Sequence, residues 1–216
     1  MDKKKTVTKT EVNLNISPPR FHVAEFKIRG IAPYVQNRFS AKAMQMMREK
    51  QESGSQGAKG KKREAKDFHA CYEGVMHVSE EGWHGIPAPA FRNAAISACR
   101  VCGFKMTHAK LTIFIEADGF DQIDSTPLIK ITKGRPEYVE HHTRNETGVC
   151  DIRPRPMWKS GWEAIVRVRY DEDQFSLEDV TNLMMRIGLQ VGVGEGRPDS
   201  KKSCGMGWGM FELCGK

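Results

Sequence analysis

Cys99 and Cys102 stand in the C-x-x-C spacing that brings two thiolates to one metal ion, and His69 and Cys71 supply two further donors for a four-ligand zinc set. On an alanine-rich helix the same spacing turns both sulfurs toward a core. No second closely spaced pair of thiols supports a metal, so none is expected. The zinc deaminase pattern fails too. Cys71 takes the place of glutamate in His-x-Glu, and Ala98 stands where Pro-Cys should begin. His141-His142 reads as a solvated pair. Gly60-Lys61 resembles a phosphate-binding P-loop only superficially. Ser55 replaces the upstream glycine and Lys62 follows, so no hydroxyl is placed to hold Mg²⁺. No cofactor is expected.

The strongest chemical signal is anion binding. Gly192, Gly194 and Gly196 precede Arg197, and Gly205, Gly207 and Gly209 surround Trp208. Glycines let a backbone approach a phosphate and present N–H groups as a concave nest. Arg197, Lys201 and Lys202 add charge to that loop. The spacing does not match G-x-G-x-x-G, and the loop follows a helix rather than a strand, which disfavours a dinucleotide fold. Asp151-Ile152-Arg153-Pro154-Arg155-Pro156 is a stiff basic segment suited to backbone phosphates. Trp208, Trp158, Trp162, Tyr34 and Phe39 lie beside glycines or basic residues and are candidate stacking platforms, with burial in a core as the competing role.

Thirty-four Lys and Arg oppose 27 Asp and Glu in 216 residues, a net charge of +7 with a pI near 9.1, which makes a polyanion the first partner to consider. Two segments concentrate this charge. One is an N-terminal arm over 1–20, with Lys3, Lys4, Lys5 and Lys9. The other is a Gly/Ser/Lys stretch at about 52–66, with Lys59, Lys61, Lys62 and Arg63, which reads as a mobile loop. No run of about 18 apolar residues spans a membrane, no secretory leader is evident, and sparse cysteines point to reduced thiols in the cytoplasm.

The elements that must position these groups follow from periodicity. Phe21–Arg29 alternates as a strand, Ser40 caps a helix to about 51, and Phe68–Val78 holds short strands. Pro89 and Gly103 bracket a helix over about 89–102. Strands are expected at Leu111–Ala117, Leu128–Lys133, Glu163–Tyr170 and Trp208–Leu213, with an irregular stretch at 135–160. Ser176 caps a helix striped by Leu177, Val180, Leu183, Met184 and Ile187 and closed by Gly188. With 88–103 taken as a helical insertion, residues 21–216 read as one α+β domain. Its order is β-α-β-β-α-β, ferredoxin-like or RRM-like, with a Gly-rich loop before the last strand.

That loop, together with Ile28-Arg29-Gly30-Ile31-Ala32-Pro33-Tyr34-Val35-Gln36-Asn37-Arg38-Phe39, resembles the RAMP superfamily. These are ferredoxin-like RNA-binding proteins of CRISPR effectors, including the backbone subunit that polymerises along a guide RNA, and the chain is also similar to RAMP-like proteins of bacteriophages. The resemblance implies sequence-independent binding of single-stranded nucleic acid, RNA favoured, by a subunit that assembles with itself or with CRISPR-type subunits. The residues expected at the strand are Asn37, Arg38, the Lys59–Arg63 loop, Arg153, Arg155, Gly194, Gly196, Arg197, Lys201, Lys202 and Trp208. Metal-independent RNA cleavage needs a general base. The first helix lacks histidine, and neither His69, His84 nor Asp118 can be set against a scissile phosphate, so binding without catalysis is expected. The rival roles are an endoribonuclease of the same superfamily and a phage inhibitor imitating a backbone subunit, for which exposed Met44, Met46 and Met47 would suit a protein interface.

Overall fold

Alternation builds the main sheet. In β1 (Phe21–Gly30), Ala24, Phe26 and Ile28 point to one face while Glu25, Lys27 and Arg29 point to the other. In β9 (Glu163–Asp171), Ala164, Val166, Val168 and Tyr170 share the buried face. The two pair antiparallel along their whole length, from Phe21 opposite Asp171 to Arg29 opposite Glu163. The computed structural model describes residues 16–38, 41–52, 67–144, 150–200 and 205–215. The Lys59–Arg63 loop, Phe39, Lys201, Lys202 and most of the N-terminal arm lie outside them.

Between β1 and β9 come β2 (Tyr34–Val35), α1 (Ala41–Glu52), α2 (Phe68–Gly74), β3 (Gly85–Pro87), α3 (Ala88–Val101), α4 (Met106–Thr112), β4 (Ile113–Glu116), β5 (Gly119–Phe120), β6 (Pro127–Lys133), β7 (Pro136–Arg144) and β8 (Cys150–Trp158). After β9 follow α5 (Leu177–Arg186), a π-helical turn at Ile187–Val191, and β10 (Phe211–Leu213). The main sheet runs β10-β1-β9, and the far edge of β9 is shared. β4 pairs with Arg167–Tyr170 and β6 with Glu163–Ala164. β3 and β5 extend β6. All neighbours are antiparallel, so the chain is α+β with antiparallel sheets.

Two helices cover the buried face. α5 starts with a capping box, in which the Asp179 amide donates to Ser176 Oγ and the Ser176 amide to the Asp179 carboxylate. It buries Val180, Leu183 and Met184. α3 buries Phe91, Ala94, Ala95, Ala98 and Cys99, and its alanines let it lie close to the strands. α3, within the stretch 88–103 read from sequence as a helical insertion, is therefore part of the core. α1 is the more peripheral one, with residues 45–49 exposed.

The structure corrects several other expectations. Phe68–Gly74 is helical, started by Asp67 accepting from the Ala70 amide at 3.0 Å. Residues 106–112 are helical, and the expected strand begins only at Ile113. Gly188 does not end the final helix. The chain continues through the π turn, and a Cβ at Gly188 would sit 2.1 Å from the Phe211 carbonyl oxygen, so the glycine lets β10 lie directly against the helix there. Leu177 is exposed, outside the buried stripe.

The stretch 135–160 is not irregular. β7 and β8, nine residues each, pair antiparallel along their whole length, and β2 joins them in a second, three-stranded sheet. Pro154 and Pro156 are tolerated because of their parity. The Pro156 carbonyl accepts from the Gln36 amide at 3.2 Å, on the β2 side, so the missing proline N–H groups fall on the side away from β7 and cost no bond of that ladder.

Candidate nucleic-acid interface

A cleft of about 590 Å³ opens where three parts of the chain meet, within the usual size of ligand sites, about 300–1,000 Å³. One wall is the small, polar face of α3, with Ala90, Asn93, Ala94 and Ser97 at helical spacing. The second is the glycine loop after the π turn, Val193–Ser200. The third is the exit of β2, with Tyr34, Gln36 and Asn37, backed by His77 and Arg153.

The glycine loop is pressed into place. Gly194 has φ +84°, and a Cβ there would sit 2.6 Å from the Val35 carbonyl oxygen. Gly196 has φ +74°, and a Cβ there would sit 2.3 Å from the Trp208 ring. Only glycine fits both the backbone angle and the space. Among the described residues, the N–H groups of Gly194 and Gly196 have no hydrogen-bond partner, whereas the Glu195 amide between them donates to Val35. Two backbone donors at the cleft wall are therefore left for a ligand or solvent.

Ion pairs set the electrostatics. Arg155 pairs with Glu195, Arg153 with Asp151 at 3.0 Å, and Arg100 with Asp199 at 3.1 Å, the last tying α3 to the glycine loop. Arg197 donates to the Gly194 carbonyl at 3.0 Å. Among the lining residues Arg153 and Arg197 face Glu195 and Asp199, so formal charges at the cleft balance and its capacity for an anion rests on the two backbone amides.

Behind the cleft lies a buried polar network. Arg38 Nη1 is 3.1 Å from Asp121 and donates to the Met76 carbonyl at 3.1 Å, and Nε is 3.6 Å from Asp124. His77 Nδ1 meets Asp121 at 2.9 Å. Gln36 accepts from the His77 amide at 2.9 Å and donates to the Gly85 carbonyl at 2.6 Å. Donor atoms of His77, Asp121 and Asp124 lie within 4.8 Å of one another, a spacing open to a cation. The Arg38 guanidinium supplies that positive charge. Burial pulls the His77 pKa below its ordinary value; Asp121 opposes this and Arg38 adds to it.

Several sequence-predicted residues take other roles. Arg38 is 5% exposed and hydrogen-bonds only through Nη1, to Asp121 and the Met76 carbonyl, so it stands as a buried strut behind the cleft. Arg155, 8% exposed, is held by Glu195. Tyr34, Trp158 and Trp162 are core residues rather than stacking platforms. Trp208 is half-buried and stacks on His141 at 4.6 Å, which joins the glycine loop to β7. Asn37, Arg153, Gly194, Gly196 and Arg197 are brought together at the cleft. Cys99 is buried and Cys102 exposed at the end of α3. The sequence reading missed Gln36, His77, Asp121, Asn93 and Ser97. Only the last two carried a local signal, as polar breaks at helical spacing in an apolar helix.

On the open face of the main sheet the cations are tied up in pairs and ring contacts. Lys27 and Lys133 both pair with Glu163, and Arg167 pairs with Asp118. Arg169 stacks between Phe21 and Phe114 at 5.0 and 4.8 Å. The cleft, on the side of the helices, differs in offering the unpartnered Gly194 and Gly196 amides. Among the described residues no helix is long and apolar enough to cross a membrane.

No family model and no curated protein matches the chain. Among solved structures, it is similar to a chain in the cryo-EM structure of the Type III-B Cmr-beta bound to cognate target RNA, with a TM-score of 0.54 and 9% identity. The match covers 90% of this chain and 59% of that one, so the chain spans somewhat over half of its structural neighbour and shares its fold.

Proposed function

We propose that the chain binds single-stranded nucleic acid, RNA in preference, along the cleft between α3 and the glycine loop. The strand order last-first-third-second, with β4 and β6 jointly as the second strand, is read as ferredoxin-like and of RAMP type. In this reading the chain lines up with copies of itself or with CRISPR-type subunits along the strand. The observation that carries it is the pair of unpartnered glycine amides beside Arg153 and Arg197. Phosphate oxygens are the acceptors that such donors and cations suit best. The neighbour's printed association with target RNA supports the same direction.

The test is fluorescence anisotropy of labelled single-stranded RNA, single-stranded DNA and duplex DNA at two salt concentrations. Affinity for single strands is expected to fall steeply with salt. Arg153→Ala and Arg197→Ala are expected to weaken all sequences alike, each reducing the salt slope by about 0.7. Absence of binding at low salt refutes the proposal. Met46 and Met47, 61% and 50% exposed on α1, favour a second reading, an interaction protein that occupies the assembly surface of such subunits. Binding to a protein complex without binding to naked strands would select it.

A further inference from the structure

The walls of the cleft differ in chemistry. The glycine loop offers the unpartnered Gly194 and Gly196 amides with Arg197 beside them. The α3 wall is uncharged: it presents Ala90, Asn93, Ala94 and Ser97. The arginines of that helix are engaged elsewhere. Arg92 donates to the Ile113 and Lys110 carbonyls, and Arg100 is held by Asp199.

Asn93 and Ser97 lie one helical turn apart, about 6 Å along the axis. Asn93 is exposed and Ser97 half-buried. Among the described residues neither side chain makes a hydrogen bond, and Ser97 does not bond back to the carbonyl four residues earlier, the usual partner of a helical serine. Both are weaker helix formers than the alanines around them, and no local hydrogen bond offsets that. An amide side chain and a hydroxyl can each donate and accept. A phosphate oxygen only accepts, so it uses half of that capacity. A ribose 2′-hydroxyl donates and accepts, and it is the group that separates RNA from DNA. It is also present at every nucleotide, so a contact to it does not depend on base sequence.

We propose that Asn93 and Ser97 read ribose 2′-hydroxyls of a strand whose phosphates rest on the Gly194 and Gly196 amides, and that they make the cleft select RNA over DNA. This rests on the nucleic-acid-binding reading above. The glycine loop holds any single strand, and the α3 wall distinguishes the sugar. Ala90 and Ala94, with their short side chains, leave room for the sugar against the helix. Both polar side chains stay wetted without a ligand, so each contact adds the modest gain of an ordinary hydrogen bond, about 2–12-fold in affinity. A buried hydroxyl-reading site would discriminate far more strongly.

Anisotropy is measured on the full chain with three strands of one sequence: RNA, the all-deoxy strand containing deoxyuridine, and the 2′-O-methyl strand, which lacks the hydroxyl donor. Wild type is expected to favour RNA over the deoxy strand by about 5–100-fold, two contacts taken together. Asn93→Ala with Ser97→Ala should bind the deoxy strand with wild-type affinity, bind RNA no better than that, and keep the wild-type salt slope. Arg197→Ala should weaken both strands alike. An RNA preference retained in the double variant overturns this proposal, and so does equal wild-type affinity for RNA and the deoxy strand; in both cases strand binding stands. Weaker binding of the deoxy strand by the double variant overturns it too, since the two residues would then support the cleft as a whole. No wild-type binding to any strand overturns the binding reading as well. If the double variant does not fold, wild-type affinity as high for the 2′-O-methyl strand as for RNA overturns the proposal instead.

Discussion

Replacing Arg38 by Met tests whether the network behind the cleft holds the site together. The Arg38 side chain is 2% exposed and that of Asp121 is inaccessible. The substitution keeps most of the apolar volume but removes the guanidinium from Asp121, Asp124 and the Met76 carbonyl. Asp121 is then left buried with His77 and the Ile123 amide alone. Breaking a buried pair from one side costs about 3–5 kcal/mol. A chain of this size loses about 2–4 °C of Tm per kcal/mol, so a drop of about 6–20 °C is expected. Thermal unfolding followed by the fluorescence of buried Trp158 and Trp162 reads it directly. Arg38→Met with Asp121→Leu should recover part of the loss, because no charge is then stranded, giving a coupling of about 1–3 kcal/mol in the double-mutant cycle. Losing Arg38 should also raise the His77 pKa, since Arg38 helps to lower it. A Tm change under about 2 °C for Arg38→Met, with additive behaviour in the cycle, would refute the reasoning.

Gly196→Ala should cost about 1–3 kcal/mol from its positive φ, more once the Trp208 ring must shift, and should weaken RNA binding beyond that, as seen by parallel melting and anisotropy. His77, His84 and His141 are all held below the ordinary value of 6.5 by burial. The unfolded chain therefore takes up protons that the folded one refuses, and stability should fall as pH drops through about 6.5, measurable by urea titration at several pH values. Lys27→Ala with Lys133→Ala, on the open sheet face, should leave RNA affinity unchanged; a marked loss would move the interface to that face. Cys102 should react with a thiol reagent well before Cys99, whose thiol burial pushes up to about 11, as mass spectrometry of partly labelled protein would show.

Elements whose local pattern matches their burial were legible in the sequence. β1 and β9 alternate cleanly, and Ser176 with Asp179 announces α5. α3 was legible as a helix with a core-facing stripe, but Cys102, expected in that core beside Cys99, is exposed because the helix ends there. The β7–β8 hairpin was hidden because its prolines read as breakers. Their tolerance depends on which side of the strand they face, which is settled only by the partner strands. At the site, the glycine loop was legible as a loop with special backbone angles. The Arg38–Asp121–His77 network was not, because Asp121 stands 83 positions from Arg38 and 44 from His77 and they meet only through the fold. Arg38 and Arg155 were read as surface charge for the same reason: a cation's exposure depends on where its carboxylate partner arrives.

The π turn between α5 and the glycine loop carries one more consequence. A π turn is an α-helical turn that has absorbed an extra residue, so the stretch Ile187–Val191 sets the rotational phase at which the chain leaves the helix. Each residue of an α-helix advances about 100° around the axis. Deleting one residue there would let the turn relax to ordinary α-helix, but Gly192 would then emerge about a quarter-turn away, aimed off the cleft. The helix would keep its own hydrogen bonds while the loop lost its address. Point substitutions in the turn, Gly188 apart, should therefore be milder than any change in its length.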